Sequence, residues 1–365
     1  MAYERSNIRR MAGYTWGEQP EEPGACKLNT NENPYPPAPG VAAALEGIDV
    51  ADLRVYPQPT AAPLRAKIAE RHSLAKENAI VTHGGDEALR LAITTFVEPG
   101  SPLGCANPSY SLYPVLAAIQ NAPVLPAEYG EDWTLPVDFA QRANAAGARL
   151  TCLVNPHAPS GRLMGADDCA RLATELDGVL LLDEAYADFI DPALGYDSAP
   201  LLRAHDNLLI LRSFSKGYSL AGLRLGYLIG HEGLIGPMLT KTRDSYNIDA
   251  ISQRLGLAAL DDQGHARDTW RRVRAQRSQL KDELARRGLA CPPSQANFLL
   301  AQVPPNARLS ARALHEALKA QGILVRHFDT PRLGDALRIS IGTPAQNRRL
   351  LAAIDDLLGD VSAAR

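Results

Sequence analysis

Short apolar runs separated by polar turns follow one another along most of this chain, and they predict buried strands. The runs lie at Ala79–His83, Leu150–Val154 and Val179–Leu182, and two more lie within Leu208–Gly230. Residues 86–96 follow the first run and have helical periodicity. Strands that alternate with helices are typical of an α/β fold with a mainly parallel sheet.

The pattern changes after residue 290 to that of a smaller α+β unit. Its strands and helices are expected at Asn297–Val303, Ser310–Gln321, Ile323–Arg326, Ala336–Ile341 and Pro344–Leu358. A long helical stretch, Ala250–Arg287, precedes this unit. Residues 1–40 are irregular and rich in Pro and Gly, which is typical of a functional or a disordered segment.

The length of 365 residues is too great for one ordinary hydrophobic core. We therefore predict a large α/β domain followed by a small α+β domain. The predicted division is an N-terminal arm at 1–40, the large domain at 41–260, a connecting helix at 261–289 and the small domain at 290–365.

Composition excludes several classes of protein. The net charge of −3 gives no general reason to bind nucleic acid or an anionic membrane. The five cysteines are scattered without a C-x-x-C pair, so neither a disulfide framework nor a metal site is indicated, and a cytoplasmic location fits. No apolar run approaches the roughly 18 residues of a membrane span.

Lys216 lies in a turn rich in serine and glycine between the two apolar runs of Leu208–Gly230. A lysine amine condenses with an aldehyde, and it can carry a proton once burial or a cationic neighbour lowers its pKa. Ser213, Ser215 and Arg224 supply hydroxyls and a planar fork that suit a phosphate dianion. The short motif alone favours a solvated loop lysine, but the upstream residues favour a lysine that holds pyridoxal phosphate (PLP).

Two upstream turns complete this candidate site. Gly84, Gly85 and Asp86 form a tight turn at a helix start, where free N–H groups and the helix dipole attract phosphate. Asp183 follows Val179–Leu182, and a carboxylate there needs a positive partner such as a protonated pyridine nitrogen. The alternatives are a plain glycine turn and a helix cap.

The spacing of the strand ends supports one common site. Asn155, Asp183 and Lys216 follow successive apolar strands at separations near the ~30 residues of a βαβ unit. Right-handed crossovers place such ends on one edge of a parallel sheet, where ligands bind. Tyr186, close to Asp183, is a candidate donor to the phenolic oxygen of the cofactor ring.

Two arginines of the C-terminal unit are candidate anion ligands. Arg338 lies within an otherwise apolar strand, where a guanidinium is unfavourable unless it faces an anion. Arg326 ends the neighbouring predicted strand. A bidentate arginine suits a substrate carboxylate or phosphate. The alternative is an ion pair with an acidic residue of the same chain.

The motif of Ser213–Tyr227, S-F-S-K-x-x-x-L-A-G-L-R-x-G-Y, resembles the fold type I PLP-dependent aminotransferases. The match to the histidinol-phosphate aminotransferases is strongest and runs over essentially the whole chain. The resemblance implies a sheet of the seven-stranded type and a homodimer. It also implies that the N-terminal arm folds over the active site.

The resemblance assigns further roles. Tyr110 would stack on the cofactor ring, and Tyr56 would cross the dimer to bind the phosphate of the partner's PLP. Tyr14 and the turn at Asn31–Pro34 would contact the substrate. Tyr113 is expected to be a core or supporting residue.

One family contact is absent from this chain. The family commonly has an asparagine just before P-T-G that bonds the phenolic oxygen, and Ala158 stands at that position here. His157 and Asn155 are the candidates to substitute for it.

We predict transamination between histidinol phosphate and 2-oxoglutarate, or the reverse, in histidine biosynthesis, with Lys216, Asp183 and Tyr186 as catalytic residues. The alternative is another fold type I enzyme, such as an aromatic-amino-acid transaminase or a threonine-phosphate decarboxylase. A PLP-sensing transcription regulator is disfavoured, because the core begins within ~40 residues of Met1, too short a distance for a DNA-binding domain.

Overall fold

A six-stranded sheet forms the centre of the computed structural model, which describes residues 3–20 and 24–359. Residues 1–2 and 21–23 of the predicted arm and residues 360–365 of the predicted small domain lie outside the described residues. The strands, in chain order, are β1 (Cys26–Lys27), β2 (Ala79–Thr82), β3 (Leu103–Gly104), β4 (Leu150–Val154), β5 (Val179–Asp183), β6 (Leu208–Ser213), β7 (Gly226–Gly230), β8 (Phe298–Gln302), β9 (Ile323–Leu324), β10 (Arg326–His327) and β11 (Ala336–Ser340).

The central sheet has the order β2-β7-β6-β5-β4-β3, and within it β7 alone runs opposite to the other strands. The predicted α/β class with a mainly parallel sheet is therefore confirmed. A seventh segment reaches the edge of the sheet only through isolated parallel bridges, from Val124 to Leu103 and from Glu128 to Asn107.

The helices, in chain order, are α1 (Ser6–Arg10), α2 (Pro39–Glu46), α3 (Ala62–Arg71), α4 (Gly84–Phe96), α5 (Leu112–Ile119), α6 (Phe139–Ala145), α7 (Ala166–Glu175), α8 (Glu232–Pro237), α9 (Ala250–Asp261), α10 (Gln263–Arg286), α11 (Ala311–Ala320) and α12 (Pro344–Leu358). Helices α4 and α5 cover one face of the central sheet and α7, α9 and α10 cover the other, whereas α11 packs on the C-terminal strands. Among the described residues, no helix combines the length and the apolar composition that a membrane span requires.

The predicted helical stretch Ala250–Arg287 is two helices rather than one. The break falls at Asp262, whose backbone leaves the helical region with φ −102° and ψ 70°. Its side chain accepts a hydrogen bond from the backbone N–H of His265 and so caps the start of α10. The stripe of apolar positions continues across the break, which is why periodicity alone did not reveal it.

Alternate residues of each central strand face two separate cores, because successive side chains of a strand point to opposite faces. Leu181, Leu211 and Val154 pack with α4 and α5 on one face. Leu182 and Ile210 belong to the core on the other face, with helices α7, α9 and α10. The two faces therefore receive different side chains from the same strand ends.

We refer to β8–β11 with α11 and α12 as the C-terminal unit. Its three-stranded sheet has the antiparallel order β10-β11-β8. Strand β9 pairs in parallel with β1 of the N-terminal segment, so the predicted strand Ile323–Arg326 is divided between two sheets. The backbone N–H of Ser340 also donates to the carbonyl of Leu28, which ties the N-terminal segment to β11.

Candidate active site

A cleft of about 360 Å³ lies where the C-terminal ends of β4, β5 and β6 meet the N-terminal segment and the C-terminal unit. This volume is in the range of small-molecule sites, about 300–1,000 Å³. Most of the residues predicted from sequence line it. These are Tyr14, Asn31, Gly85, Asp86, Tyr110, Asp183, Tyr186, Ser213, Ser215, Lys216, Arg224, Arg326 and Arg338.

Asp183 lies at the floor of this cleft. It ends β5 in register with Val154 and Leu211, and all three side chains lie on the face covered by α4 and α5. The Asp183 Oδ2 atom accepts a hydrogen bond from the Tyr113 hydroxyl at 3.1 Å, and Oδ1 accepts one from the Ala185 N–H at 3.2 Å. The carboxylate is thus held in one orientation from two sides.

Burial raises the pKa of Asp183 from 3.8 to about 6, while the hydrogen bonds from Ala185 and Tyr113 act to lower it. Because the pKa is raised in the folded state, the Asp183 carboxyl stabilises the fold when the pH is below 3.8, the ordinary pKa of the group. This contribution to stability is lost as the pH rises through about 6. Within the described residues, no cation forms a salt bridge with the Asp183 carboxylate. The floor of the cleft therefore favours a ligand that carries positive charge at this point.

Lys216 extends into the same cleft from the turn after β6. Its Nζ donates a hydrogen bond to the backbone carbonyl of Thr30 at 2.8 Å. Burial lowers the pKa of this amine to about 8, the charge of Glu32 acts in the opposite direction, and the guanidinium groups of Arg338 and Arg224 lower it further. About a tenth of the amine is therefore unprotonated at pH 7, far more than for an ordinary lysine, and this fraction can act as a nucleophile or a base.

Arg224 and the glycine turn before α4 form one wall of the cleft. Gly84 has φ +75°, and a Cβ atom at this position would lie 2.7 Å from Arg224 Nη2. Arg224 donates to Ser215 Oγ at 3.3 Å and to Asp86 Oδ2 at 3.2 Å. Ser213 Oγ accepts from the backbone N–H of Ser215 at 3.0 Å. Glycine at 84 thus lets a guanidinium and two hydroxyls converge beside the turn.

The same turn begins α4, which starts at Gly84 and has no side-chain cap at His83. The first N–H groups of a helix lack intrahelical acceptors, and with the helix dipole they favour an anion. Gly226 of β7 allows the close approach, since a Cβ there would lie 2.9 Å from the Gly84 carbonyl carbon. This corner of the cleft has the donors that a phosphate group requires.

Tyr110 and Tyr14 line the cleft near the turn that contains Asp86. The hydroxyl of Tyr110 donates to Asp86 Oδ1 at 3.1 Å. Its ring contacts Tyr14 and Tyr113 edge-to-face, with centroid separations of 6.1 Å and 5.7 Å. Burial, followed by the charge of Asp86, raises the pKa of Tyr110, so the ring is neutral at ordinary pH and presents an apolar surface to the cleft.

Tyr186 and Asn31 join the cleft to the C-terminal unit. The side-chain amide of Asn31 donates to the Tyr186 hydroxyl at 3.1 Å, so the hydroxyl keeps its own proton available for another acceptor. Asn31 has φ +57° and is fixed by Ser340, which it contacts through both its backbone N–H and its Oδ1. Asn297 donates to its carbonyl oxygen at 2.8 Å. Asn31 therefore acts as a support for Tyr186 as well as a lining residue.

Arg326 and Arg338 face the cleft from neighbouring strands. Their Cα atoms are directly paired in the β10–β11 ladder. Each guanidinium lies 5.4 Å from the centre of the Phe328 ring, a position in which the ring stabilises positive charge. Phe328 also lines the cleft. Two like charges held on one aromatic ring need an anion between or beside them.

The remaining contacts of Arg338 within the described part of the chain leave its buried Nε without a hydrogen bond. Its Nη2 donates to the carbonyl of Asn29 at 3.0 Å, and its other face packs on Phe298 with the guanidinium carbon 5.4 Å from the ring centre. Its Nε is buried and makes no hydrogen bond within the described residues. A buried donor without an acceptor is costly, which favours an anionic ligand here.

Asn155 and His157 do not lie in this cleft, and their predicted contact with the cofactor is not supported. The Asn155 side chain bonds both backbone groups of Met164 and the hydroxyl of Tyr196. Because Val154 is in register with Asp183, the next residue along β4 faces the opposite side of the sheet. Both side chains instead line a separate cavity of about 410 Å³, which contains neither Lys216 nor Asp183.

His157 has no ring nitrogen free for a cofactor. Its Nδ1 is 2.8 Å from Ser160 Oγ, and its Nε2 is 3.0 Å from the carbonyl oxygen of Pro108. Burial lowers its pKa to about 3, so the ring is neutral. Neither Asn155 nor His157 is therefore placed to replace the family asparagine at Ala158, although Ala158 itself lines the cleft.

Tyr56 lies outside the cleft of its own chain. Its side chain is 80% exposed and stacks on Tyr246 with a centroid separation of 4.5 Å. This exposed position keeps Tyr56 out of the cleft of its own subunit.

Tyr113, expected from the sequence to be a core or supporting residue, is fully buried and donates a hydrogen bond to Asp183. Two contributors to the cleft were not predicted from the sequence. The Phe328 ring contacts both arginines, and the Thr30 carbonyl accepts a hydrogen bond from Lys216. These two carry no motif, because their roles come from distant parts of the chain.

Comparison with known proteins agrees with this geometry. The family model for aminotransferase class I and II matches residues 24–354. Histidinol-phosphate aminotransferase 1 of Trichormus variabilis is 41% identical over 357 residues, which cover 98% of this chain and 99% of that protein. The histidinol-phosphate aminotransferase of Geobacter sulfurreducens is 38% identical over 357 residues, covering 97% and 99%.

A solved structure gives the same result for the fold and for the cofactor. Histidinol-phosphate aminotransferase from Sinorhizobium meliloti, in complex with pyridoxal-5'-phosphate, has a TM-score of 0.89 to this chain at 25% identity, and 98% of each chain is covered. With the family model matching most of the chain and a lysine, a carboxylate and an anion cradle in one cleft, this chain belongs to the class I and II aminotransferases.

Proposed function

We propose that this aminotransferase converts histidinol phosphate and 2-oxoglutarate into imidazole acetol phosphate and glutamate, or the reverse, in histidine biosynthesis. The observation that carries the proposal is the directly paired Arg326 and Arg338, which face the same cleft as Lys216. Two guanidinium groups suit substrates that each carry a phosphate or two carboxylates. The histidinol-phosphate aminotransferases that resemble this chain over nearly their whole length add support.

The cofactor of this family is PLP, and the cleft fits it. PLP supplies an aldehyde that carries the amino group and a ring that withdraws electrons from the reacting carbon. Lys216 is the amine for attachment, and Asp183 is a buried carboxylate suited to a protonated ring nitrogen. The phosphate would be held by Gly84, Gly85, Ser213, Ser215 and Arg224. Glycine at position 84 leaves the space in which the Arg224 guanidinium lies beside the turn.

The side chains of this cleft divide the proton chemistry between them. The free amine of Lys216 would take and return the proton of the reacting carbon, for which a pKa of about 8 is well matched. Asp183 would hold a proton at the ring nitrogen of the cofactor, and Tyr113 and Ala185 keep its carboxylate in place. Tyr186, whose pKa is raised by burial, stays protonated and would donate to the phenolic oxygen.

The substrate is bound from the other side of the cleft. Arg338 binds a carboxylate or the phosphate through its unused Nε, and Arg326 provides the second anion contact. Tyr14, Asn31 and Phe328 form the surrounding wall. Tyr110, which lines the same cleft, would cover the face of the cofactor ring with its apolar ring.

Replacing Arg338 by glutamine should lower kcat/KM by about 10²-fold for both glutamate and histidinol phosphate, in line with the ~2–5 kcal/mol lost when a buried charge pair loses one member. Stopped-flow measurement of the two half-reactions gives both values. The matched control is Arg308→Gln, an exposed arginine of the same unit, which should leave both rates unchanged. A loss confined to glutamate would exclude a common anion site at Arg338.

The substrate itself is tested with a panel on the wild-type enzyme. We expect imidazole acetol phosphate to be aminated from glutamate with a higher kcat/KM than aromatic keto acids. Release of carbon dioxide from phosphothreonine would instead identify the decarboxylase alternative. Preference for an aromatic keto acid would identify the transaminase alternative and overturn the proposal.

We further propose a homodimer in which Tyr56 completes the phosphate site of the partner subunit. The support is the exposed apolar surface around it, where Val50 is 77% and Val55 is 54% exposed. Inactive Lys216→Ala subunits and impaired Tyr56→Phe subunits, when mixed and reassembled, should recover activity. Recovery is expected because one site of each mixed dimer has both residues intact. A monomer in sedimentation, or no recovery on mixing, would contradict the proposal.

A further inference from the structure

The loop 328–334, which joins β10 and β11, forms one rim of the active-site cleft, and we refer to it as the rim loop. Phe328, Thr330 and Leu333 of this loop line the cleft. Within the C-terminal unit the loop is held by an ion pair between Asp329 and Arg312 of α11. Its own backbone bonds include Gly334 N–H to the Thr330 carbonyl at 2.8 Å. The loop is therefore part of the wall that surrounds the substrate.

Arg332 connects the rim loop to the other side of the molecule. Its guanidinium lies 4.1 Å from the centre of the Trp133 ring. Its Nη1 and Nη2 donate to the backbone carbonyls of Tyr129 and Gly130, respectively. Arg332 itself does not line the cleft. One side chain thus makes a stacking contact and two charge-assisted hydrogen bonds to a segment about 200 residues earlier in the sequence.

The segment that receives Arg332, residues 129–134, is a tight turn with fixed geometry, which we call the Trp133 turn. Trp133 has φ +65°, a left-handed conformation that is uncommon for a large residue. The turn is closed by Trp133 N–H to the Gly130 carbonyl at 2.9 Å and by Gly130 N–H to the Thr134 carbonyl at 2.8 Å. Asp132 accepts from the Thr134 hydroxyl at 2.6 Å. The turn presents its carbonyls and its ring as a preformed receptor for a guanidinium.

The Trp133 turn is in contact with the cofactor side of the cleft through His157. The His157 ring lies 4.2 Å from the Tyr129 ring and 5.6 Å from that of Trp133, measured between centroids. Its Nε2 meets the carbonyl oxygen of Pro108, which lines the cleft beside Tyr110. A continuous path of contacts therefore runs from the rim loop to the wall of the cofactor site.

We propose that Arg332 is a positioning residue that clamps the rim loop onto the Trp133 turn and so holds the substrate wall in its binding-competent position. Arg332 acts through Phe328, Thr330 and Leu333 and does not touch the reacting atoms. If the rim loop can move away from the Trp133 turn, the apparent affinity for the substrate is the intrinsic affinity multiplied by the fraction of molecules in which the loop is in place. The planar fork is needed, because one ammonium group cannot stack on the ring and bond two carbonyls at once.

The inference rests on membership of the aminotransferases and uses the proposed substrate only as a probe. In the PLP-loaded enzyme, Arg332→Ala should raise KM for histidinol phosphate and for 2-oxoglutarate roughly tenfold, as expected from losing one cation–π contact and two hydrogen bonds. The value of kcat should change by less than about twofold, since uniform binding is what is lost. Arg332→Lys should fall between the wild type and Arg332→Ala.

Hydrogen exchange of the PLP-loaded enzyme provides a measurement that is independent of turnover. Arg332→Ala should increase amide exchange in peptides that cover residues 328–334, and Trp133→Phe should do so to a smaller extent. The matched control is Arg162→Ala. Arg162 donates to the Asp132 carbonyl of the same turn at 2.9 Å but comes from the central-sheet side and does not contact the rim loop.

The outcomes separate the alternatives. The proposal stands if Arg332→Ala raises KM and exposes the rim loop while Arg162→Ala does neither. Equal KM effects in both variants would assign the role to the integrity of the turn and overturn the clamp. Unchanged exchange in the rim loop would overturn it as well, as would wild-type behaviour of Arg332→Lys. A wild type that does not use histidinol phosphate would refute the proposed substrate, but the exchange result would still test the clamp.

Discussion

Replacing Lys216 by alanine is expected to lower the rate of transamination by at least roughly 10⁴-fold, the upper end of what general acid–base catalysis contributes. The variant loses both the amine for attachment and the base for the reacting carbon. Burial lowers the pKa of this amine to about 8, so the variant loses a base that its surroundings have tuned for proton transfer. The measurement is a single-turnover reaction with glutamate, followed through the visible absorbance of the bound cofactor.

A direct test of the attachment site accompanies the kinetics. Reduction of the PLP-loaded enzyme with borohydride, followed by peptide mapping, should place the cofactor on the peptide that contains Lys216. Lys27 is the informative neighbour, because it is close enough to lower the pKa of Lys216 but is held by Thr30 and Glu32. A cofactor mapped to Lys27 would contradict the mechanism. Lys216→Arg keeps the positive charge and should be as inactive as Lys216→Ala, since a guanidinium does not deprotonate.

The order of strands and turns in this chain could be predicted because its signals are local. The strand Leu150–Val154 agrees with the predicted bounds, and the helix predicted at Pro344–Leu358 begins with a proline and has a Thr343 cap. The spacing of successive strand ends also placed Asp183 and Lys216 at one edge of the sheet. These inferences need only periodicity, caps and the handedness of crossovers.

The direction of a side chain at a strand end could not be predicted in the same way. Asn155 and Asp183 both follow apolar runs, yet Asp183 faces the cleft and Asn155 faces away from it. Register decides this, because Asp183 is paired with Val154 rather than with the next residue. A shift of one residue reverses the face of every side chain in a strand, and the apolar runs of buried parallel strands carry no alternation that reveals it.

Contacts between segments that are distant along the chain also could not be predicted from the sequence. Nothing near Arg332 indicates that its acceptors are the carbonyls of Tyr129 and Gly130. The lone buried histidine of the N-P-H-A-P-S-G turn was a candidate ligand by composition, but its two nitrogens are used by Ser160 and Pro108. Such pairings follow from the packing of whole elements, and they are where a single sequence is least informative.

Replacing Glu184 by glutamine is expected to lower the free energy of unfolding by about 3–5 kcal/mol, the usual effect of removing one member of a buried ion pair. Glu184 Oε2 lies 2.6 Å from Arg212 Nη2, and the Glu184 side chain is fully buried on the face of the sheet opposite to Asp183. Burial alone would lower the pKa of Arg212, but the charge of Glu184 raises it above its ordinary value. Without that charge, the buried guanidinium keeps only smaller favourable interactions, such as the one with Asp188.

The geometry of the Glu184–Arg212 ion pair is a second reason to expect a large loss of stability in Glu184→Gln. Neither Glu184 Oε2 nor Arg212 Nε makes an aligned hydrogen bond within the described residues, so the pair depends on charge rather than on hydrogen-bond geometry. Tyr196 donates to the other oxygen of Glu184 at 2.5 Å and also receives the amide of Asn155. The network therefore joins the ends of β4, β5 and β6 behind the cleft, and glutamine in place of Glu184 would retain its shape without its charge.

Urea unfolding followed by circular dichroism measures the change. The exposed pair Lys67–Asp261, with a separation of 2.8 Å, is the matched control, and Asp261→Asn should shift the unfolding midpoint far less, because solvent screens that pair. The double variant Glu184→Gln with Arg212→Met should recover part of the lost stability, since it also removes the guanidinium that Glu184 compensates, although Asp188 then loses its interaction with Arg212. If the double variant is instead less stable than Glu184→Gln alone, Arg212 stabilises the strand ends through contacts other than this charge pair.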